Sequence, residues 1–262
     1  MDFFSEDPHS VVSPRDRVMA LTPPGRSLSQ EFSLEGLAFI TFTSHDLQRL
    51  IQSGLPSKPV EAWRDRGFRI FRGQVRDKGW VAVRSPYGAP GTVMLLEELV
   101  AFGVKRAILL GYCGALLEGI GIGDIVLPVE AVREEGTSYH YLPKSEKSCP
   151  DLALQHQLSD WIGGVGLSSL RGRVWTTDAP YRETPEKVRA YRAEGVLGVE
   201  MEMAAAFAFG KAKRISVGSV LIVSDQVREG EWHVDFFSPR IQSTREKVVQ
   251  ALLGHLPELV AL

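Results

Sequence analysis

Short apolar runs alternate along the chain with longer segments in which apolar residues recur every three or four positions. Such runs are typical of buried strands, and the periodic segments are typical of amphipathic helices. The alternation predicts an α/β fold in which a central, mixed β-sheet is flanked by helices. Strands are predicted at 37–42, 68–73, 80–85, 106–111, 124–132, 171–177, 196–200 and 215–225. Helices are predicted at 46–53, 92–103, 152–162, 185–195, from residue 202 onward and at 243–256.

The predicted fold also indicates where a ligand binds and how the chain is divided. In α/β sheets ligands gather at the carboxyl ends of strands, which here are the loops at 111–115, 199–203 and 223–226. Residues 1–35 are rich in Pro, Ser and charge, so we predict an N-terminal extension that is at most partly ordered. Residues 36–262 are predicted to form a single domain, because their number suits one large core.

Composition and charge narrow the range of functions. The formal net charge is −2, so no overall basic field favours nucleic acid or an anionic membrane. Cys113 and Cys149 are too few for a disulfide framework or a cysteine-rich metal site. No apolar stretch reaches the roughly 18 residues of a membrane span. We therefore expect a cytoplasmic protein with no metal and no resident cofactor.

Two predicted strand ends carry carboxylates in apolar surroundings. The stretch GVEMEMAAAF places Glu200 and Glu202 where a strand gives way to a helix, and VLIVSD ends an apolar run on Asp225. A helix N-terminus favours negative charge, so both glutamates are explained equally well as partners of the helix dipole. Asp225 alone is explained as a helix cap. The two strand ends together favour a site that handles hydroxyl groups and a proton.

GVEMEMAAAF and VLIVSD, together with GYCGALLEGIGIGDIVLPVEAVREEGTSYHY, resemble the signatures of the nucleoside phosphorylase family. This family includes bacterial uridine phosphorylase, hexameric purine nucleoside phosphorylase and methylthioadenosine nucleosidase. The similarity runs from about residue 37 to the C-terminus. The resemblance implies phosphorolysis of the N-glycosidic bond of a nucleoside, purine rather than pyrimidine. Inorganic phosphate is then the co-substrate, and the products are a free base and a pentose 1-phosphate.

The resemblance also implies roles for individual residues. Glu202 holds the ribose hydroxyls with Met201 against the sugar, while Glu200 has a weaker claim and supports the loop. Asp225 is the general acid toward purine N7, because a base departs more easily once it is protonated. Arg240, near the start of the last helix, assists Asp225. An exposed loop arginine is an equally good interpretation of Arg240.

Base recognition is implied for Trp175 and Ser224. Trp175 aligns with an aromatic residue that stacks on the base in purine enzymes of the family, although a tryptophan in a strand is more often a core residue. Ser224 lies directly beside the acid. The glutamine–arginine pair with which uridine phosphorylases read uracil is missing from the stretch around Arg182, and this favours a purine.

The phosphate pocket departs from the family pattern. SHDLQR keeps Arg49, but His45 stands at a glycine position. DRGFRIFRG supplies Arg66, which in relatives serves the site of the neighbouring subunit. Leu109 replaces a phosphate-binding arginine, and Tyr112 replaces a residue with a small hydroxyl side chain. The loss of one bidentate arginine removes a contact worth about 1.5–3 kcal/mol.

These departures leave two alternatives to phosphorolysis. One is a nucleoside hydrolase of the same fold that uses water, and the other is a non-catalytic protein that binds nucleosides. If Arg66 completes a neighbour's site, the active unit is a homo-oligomer, either a dimer or a trimer of dimers. The expected partners are the nucleoside, phosphate and further copies of the chain, with no nucleic acid and no membrane.

Overall fold

Ten strands form one sheet in the part of the chain that the computed structural model describes, residues 3–7, 9–21, 36–52, 57–60, 69–75 and 77–261. They are β1 Gly36–Thr41, β2 Ser57–Pro59, β3 Ile70–Val75, β4 Lys78–Arg84, β5 Val104–Ala115, β6 Ile125–Glu134, β7 Ser169–Thr177, β8 Gly198–Glu200, β9 Ser216–Arg228 and β10 Glu231–Val234. Their order across the sheet is β10–β9–β6–β7–β8–β5–β1–β4–β3–β2. β5 also pairs with β9, so β5, β9, β6, β7 and β8 close into a ring.

Both parallel and antiparallel pairs occur in this sheet. β1 runs parallel to β4 and to β5, and β5 runs parallel to β9. The β3–β4 hairpin is antiparallel, as are the pairs β5–β8 and β6–β9. The predicted α/β class with a central mixed sheet flanked by helices is therefore confirmed.

Helices cover both faces of the sheet. They are α1 Pro14–Ala20, α2 Ser44–Gln52, α3 Ala89–Ala101, α4 Leu152–Gly164, α5 Pro185–Ala193, α6 Met203–Lys213, α7 Pro239–Gly254 and α8 Leu256–Ala261. In β1, Leu37 and Phe39 enter an apolar cluster with α4, α7 and α8, whereas Ala38 and Ile40 enter a second cluster with α3 and α6. Because successive side chains of a strand point to opposite faces, a strand buried on both faces has a continuous apolar sequence.

The N-terminal extension contains a helix that packs on α3. Val18 of α1 is fully buried, and Arg17 forms an ion pair with Glu98. Arg15 donates a hydrogen bond to the carbonyl of Ala101 at 3.0 Å. Residues 22–35 lie outside the described residues, and the predicted domain boundary at residue 36 stays a prediction.

Several elements differ from the sequence predictions, and the helices α1 and α8 are not predicted. β5 continues to Ala115, four residues beyond its predicted end, because its last residues pair in register with β9. α7 begins already at Pro239, whose fixed φ suits the first turn of a helix. β2 and β10 are not predicted, because strands of three and four residues carry too little pattern to be recognised.

The carboxyl ends of β1, β4, β5 and β9 meet at one edge of the sheet, because neighbouring members of this set run parallel. Gly114 of β5 pairs with Val199 of β8 on one side and with Asp225 of β9 on the other. The three segments predicted as loops of the site, 111–115, 199–203 and 223–226, therefore lie side by side at this edge, although the first and the last belong to β5 and β9. That they form the ligand site stays a prediction.

Candidate active site

The turn between β8 and α6 is organised by Glu200. This buried carboxylate accepts hydrogen bonds from the backbone N–H groups of Glu202 at 2.6 Å and Met203 at 2.8 Å, and from the hydroxyl of Thr176. The N–H groups at the start of a helix have no partner within the helix. Glu200 therefore supplies the missing acceptors and fixes the backbone that carries Glu202.

Glu202 lies at the edge where the strands end, with 7% of its surface exposed. One of its carboxylate oxygens accepts the Gly88 N–H at 2.6 Å, and Gly88 has a φ of 87°, which favours glycine. Burial raises the pKa of Glu202, and burial together with the charge of Glu202 raises the pKa of Glu200. A carboxylate in such surroundings gains strongly from hydroxyl donors of a ligand.

Two hydrogen bonds fix the carboxylate of Asp225 at the end of β9. Ser224 Oγ donates to Oδ1 at 2.6 Å, and Trp232 Nε1 donates to Oδ2 at 2.8 Å. Gly114 lies opposite on β5, where a Cβ atom would come within 2.9 Å of Oδ2. The glycine in the GYCGA segment thus leaves the space that the acid occupies.

Asp225 faces a cavity of about 410 Å³, which we call the Asp225 cavity. Its lining includes the loop before α5, the end of β9 and the strand β10, with Pro180, Tyr181, Glu183, Val227 and Trp232 beside the acid. Tyr181 is fully exposed and Trp232 is 63% exposed, so two aromatic rings are open to a ligand. Aromatic faces close to an acid suit a flat heterocyclic base.

Glu183 brings a second carboxylate to the Asp225 cavity. It is half-buried in the loop between β7 and α5, and it receives no hydrogen bond and forms no ion pair through its side chain with any described residue. Burial, together with the charges of Asp225 and Glu134, raises the pKa of Glu183 to about 7. A partly desolvated carboxylate without donors is unfavourable until a ligand supplies them.

A second cavity of about 400 Å³ includes Ser224, the neighbour of Asp225. We call it the Arg245 cavity, and Thr43, Tyr87, Tyr112, Phe236 and Ile241 complete its lining. The Asp225 cavity and the Arg245 cavity are therefore lined by consecutive residues of β9, Asp225 and Ser224. Tyr87 connects the second cavity to the ribose candidate, because the next residue, Gly88, donates to Glu202.

Arg245 of α7 is held in a buried ionic cluster with Asp46 and Tyr112. Its Nε lies 2.6 Å from Asp46 Oδ1 and donates to Tyr112 Oη at 2.9 Å, and Tyr112 donates to Asp46 at 2.9 Å. Burial, reinforced by the charge of Asp46, raises the pKa of Tyr112, so its hydroxyl stays neutral. Leu109, which stands at the family's arginine position, is a core residue. Arg245 supplies a guanidinium beside Tyr112 instead.

The predicted phosphate ligand Arg49 points along the outer side of α2. It forms an ion pair with Glu246 of α7 at 3.0 Å, donates to His45 Nε2 at 3.4 Å and lines neither cavity. Arg84, at the end of β4, donates to Ser44 Oγ at 3.1 Å and so brings a second guanidinium to the first residue of α2. A helix N-terminus with an arginine beside it attracts anions.

Two predicted contacts are not seen among the described residues. Trp175 has no exposed surface, because its ring packs on Tyr191 at a centroid distance of 4.5 Å and its indole N–H donates to Glu134. The predicted stacking on a base therefore has no free ring face. Arg240 forms an ion pair with Asp124 rather than with Asp225, and its side chain is 62% exposed. A role for Arg240 in assisting the acid stays a prediction.

The remaining predicted site residues are Met201, Ser224 and Arg66, and only the first two lie within the described residues. Met201 is half-buried in the turn between the two glutamates. Ser224 is buried and commits its hydroxyl to Asp225, so in this structure it positions the acid. Arg66 lies outside the described residues. The predicted shared site and homo-oligomer therefore stay predictions.

The described residues at this edge include no metal site and no reactive thiol. Within the described ranges, no group of three or more His, Cys, Asp and Glu side chains could hold a metal ion. No helix in that part of the chain is long and apolar enough to cross a membrane. Cys113 and Cys149 are free, and burial raises the pKa of the fully buried Cys113 thiol, which makes it unreactive.

Three residues of the site have no individual sequence signal: Glu183, Trp232 and Arg245. Glu183 lies in the loop that follows β7, which is not among the three loops predicted to form the site. Trp232 reaches Asp225 through the tight turn at Gly230, which has a φ of 77°. Arg245 is a charge on the buried face of a helix, where the periodic pattern predicts an apolar residue.

The fold and the site together define an α/β enzyme in which buried carboxylates adjoin an acid at one edge of a mixed sheet. The model of the phosphorylase superfamily matches residues 37–254. The chain belongs to this superfamily.

Individual relatives are nucleoside phosphorylases. Guanosine phosphorylase of Halorubrum lacusprofundi is 30% identical over 146 residues, which cover 55% of this chain but only 59% of the relative. Uridine phosphorylase of Treponema pallidum is 28% identical, with 67% of this chain and 72% of the relative covered. A DeoD-type purine nucleoside phosphorylase of Caldanaerobacter subterraneus is 29% identical, with 63% and 72% covered.

A solved structure shares the fold. Purine nucleoside phosphorylase from Toxoplasma gondii in complex with immucillin-H superposes with a TM-score of 0.79. The match covers 88% of this chain and 94% of that one at 22% sequence identity. The fold is thus that of a nucleoside phosphorylase, and the individual relatives are nucleoside phosphorylases.

Proposed function

We propose that the chain catalyses phosphorolysis of a purine nucleoside whose base presents N–H donors to Glu183. The observation that carries this proposal is the presence of two carboxylates in one cavity. Asp225 is held by two donors, whereas Glu183 receives no hydrogen bond from any described residue. Asp225 protonates the base, and Glu183 reads it. The name of the Halorubrum lacusprofundi relative, guanosine phosphorylase, agrees with a base of this kind.

The proposed chemistry divides charge between the sugar and the base. As the C1′–N9 bond breaks, its electron pair moves to the base. Asp225 in its acid form delivers its proton to N7 and is left as the carboxylate to which Ser224 and Trp232 donate. Positive charge develops on the ribose, as in glycoside hydrolysis. Glu202 accepts hydrogen bonds from the ribose hydroxyls and tolerates that charge. A phosphate oxygen then bonds to C1′, which yields ribose 1-phosphate and a neutral base.

In this proposal the carboxylate of Glu183 distinguishes guanine from adenine. Guanine presents N1–H and an exocyclic NH₂ on one edge, and a carboxylate accepts two parallel N–H groups well. Adenine presents a lone pair at N1, which a carboxylate repels. Since the pKa of Glu183 is raised to about 7, the carboxylate form prevails above that pH. Preference for guanosine over adenosine should therefore increase as the pH rises from 6 to 8.

The proposed acceptor site is the Arg245 cavity with the nearby N-terminus of α2. Arg245 and Tyr112 line the cavity, and Arg84 lies at Ser44, the first residue of α2. These groups offer positive charge and donors close to Ser224 and Asp225. Arg49 joins them only if it leaves Glu246, with which it pairs at 3.0 Å.

Hydrolysis is a second candidate, and two observations favour it. Asp46 already neutralises Arg245 at 2.6 Å, and Tyr112 fills the position at which relatives carry a small hydroxyl side chain. A neutral cluster attracts a doubly charged phosphate less than a free arginine does. Water would then replace phosphate as the group that bonds to C1′.

A nucleoside panel tests the proposed base preference. Guanosine, inosine, adenosine and uridine are incubated with the protein and inorganic phosphate, and released base is measured by chromatography. We expect guanosine and inosine to be cleaved at least tenfold faster in kcat/KM than adenosine at pH 8. Uridine should be cleaved slowly, because uracil has no N7 to protonate. Faster release of uracil than of guanine would overturn the purine assignment.

A matched pair of variants isolates Glu183. Glu183→Gln should reduce the preference for guanosine over adenosine and remove its dependence on pH, because an amide does not ionise. Glu186→Gln changes an exposed glutamate three residues further along the chain and should leave both unchanged. An unaltered preference in Glu183→Gln would show that another group reads the base.

A further inference from the structure

A third cavity lies at the opposite edge of the sheet from the candidate active site. It has a volume of about 440 Å³ and is bordered by the amino ends of β4, β5 and β9 and by the C-terminal residues of α8. We call it the basic cavity, because its lining includes Lys78, Lys105, Arg106 and Arg214. No acidic side chain is among the ten described residues that line it.

Three of the four cations of the basic cavity have no carboxylate partner among the described residues. Lys78, Lys105 and Arg214 are exposed, and none of them forms an ion pair in the described part of the chain. Arg106 is more enclosed: it donates to the carbonyl of Leu259, while its buried Nε has no hydrogen-bond partner. Burial lowers the pKa of Arg106, and the charge of Asp151 opposes that effect. A partly buried guanidinium beside three exposed cations that form no ion pair with a described residue is unfavourable without an anion.

The backbone at Arg214 singles this residue out. Arg214 ends α6 with a φ of 55°, a left-handed conformation that a residue with a side chain rarely adopts. Its neighbours in the last turn, Lys211 and Lys213, each pair with a carboxylate, Glu146 and Glu97. Arg214 forms no such pair within the described ranges and lines the cavity instead. A disfavoured backbone conformation at a residue that faces a cavity points to a role for its side chain.

We propose that the basic cavity binds a phosphorylated small molecule that carries at least two negative charges. Four cations around one cavity match a diphosphate or a longer polyphosphate better than a single phosphate, because each charge then has a partner. The volume lies within the range of small-molecule sites, roughly 300–1000 Å³. Leu259, Val260 and Ala261 add an apolar wall against which an organic part of the ligand packs.

The basic cavity is separate from the proposed reaction site. Arg106 and Tyr112 lie six residues apart on β5, which is about 20 Å along a strand. A small anion in the basic cavity therefore does not contact the nucleoside. Its binding is independent of whether the chain cleaves nucleosides.

Calorimetric titration with inorganic pyrophosphate tests this proposal. The wild-type chain should bind the probe, and the affinity should fall as salt is added. The double variant Lys105→Gln/Arg214→Gln removes two exposed cations without altering the core, and we expect its Kd to rise at least tenfold. Lys144→Gln removes an exposed lysine elsewhere on the surface and should change the Kd by less than twofold.

The proposal would be overturned by no binding to the wild-type chain, by an unchanged Kd in the double variant, or by an equal loss in Lys144→Gln. If the double variant has a lower melting temperature, Lys78→Gln replaces it, with the same expected direction. Parallel titrations with inorganic phosphate and a nucleoside 5′-diphosphate identify the ligand class. Inorganic phosphate binding at least as tightly as both diphosphates would contradict the requirement for two charged groups.

Discussion

Replacing Glu202 by glutamine should separate catalysis from stability, because the two respond in opposite directions. The substitution keeps the shape of the side chain. It also keeps an oxygen that can accept the hydrogen bond that Gly88 N–H donates to Glu202 at 2.6 Å. It removes the negative charge that the proposed mechanism uses. Hydrogen bonds to a charged group are worth about 1.5–3 kcal/mol each. The ribose hydroxyls donate two such bonds in the proposed complex, and the amide oxygen of the variant keeps only part of their strength. The expected loss of transition-state stabilisation is about 2–4 kcal/mol, or roughly 30- to 1000-fold in kcat/KM.

Stability should change in the other direction at high pH. Burial raises the pKa of Glu202, so at low pH the group is protonated in both the folded and the unfolded chain. As the pH rises, the unfolded chain loses its proton first, and the folded state loses stability until Glu202 ionises there as well. Glutamine does not ionise and avoids this cost.

The assay combines kinetics with calorimetry. kcat/KM for guanosine is measured at saturating phosphate, and the melting temperature is measured at pH 5 and pH 8, with Glu186→Gln as the control. Glu202→Gln should lose activity, melt close to the wild-type temperature at pH 5 and melt a few degrees higher at pH 8. A lower melting temperature at both pH values would make Glu202 a structural residue. Activity within threefold of the wild-type value would refute its role in binding the ribose.

Three further substitutions test the surroundings of the site. Trp232→Phe removes the donor that lies 2.8 Å from Asp225, and because the ring is 63% exposed we expect only about a threefold to tenfold loss of kcat/KM for guanosine; an unchanged value would mean that the contact does not influence the acid. Gly114→Ala places a methyl group 2.9 Å from Asp225 Oδ2, whereas Gly163→Ala meets no atom within 4 Å. Base release should be abolished in the first variant and unchanged in the second, and equal activity in both would contradict the packing argument. Arg245→Ala leaves a buried carboxylate without its cation, so denaturant titration should show a loss of about 3–5 kcal/mol; a loss below about 1 kcal/mol would show that the ion pair is dispensable.

The fold could be predicted from the sequence because its elements are local patterns. β1 is apolar at every position from 37 to 40, and the structure buries both of its faces. Glu202 and Asp225 could be predicted as candidates because each follows such a run. Their meeting follows from the rule that neighbouring parallel strands end at one edge.

Partners that are far apart in the sequence could not be predicted in this way. Arg240 is two residues from Ser238 and well placed to start a helix, but spacing along the chain does not say whether Asp124 or Asp225 captures its guanidinium. Trp175 aligns with an aromatic residue that stacks on the base in the family, but in the structure the ring of Tyr191 in α5 packs on its indole ring. These choices depend on how separate elements pack.

Arg245 is a further residue whose place in the site could not be predicted from the sequence. The sequence indicates that a phosphate-binding arginine is missing at position 109, and Leu109 is indeed in the core. The guanidinium beside Tyr112 comes instead from a helix more than a hundred residues later along the chain. Only the tertiary structure shows that Asp46 pairs with it at 2.6 Å.

The identity of the sugar product tests the central claim most directly. Guanosine is incubated with the wild-type chain in buffer with and without inorganic phosphate, and the products are followed by ³¹P NMR and by chromatography of the base. Phosphorolysis predicts that guanine appears only when phosphate is present, together with an equal amount of ribose 1-phosphate. Release of guanine at the same rate without phosphate, with free ribose as the sugar product, would contradict phosphorolysis and establish hydrolysis.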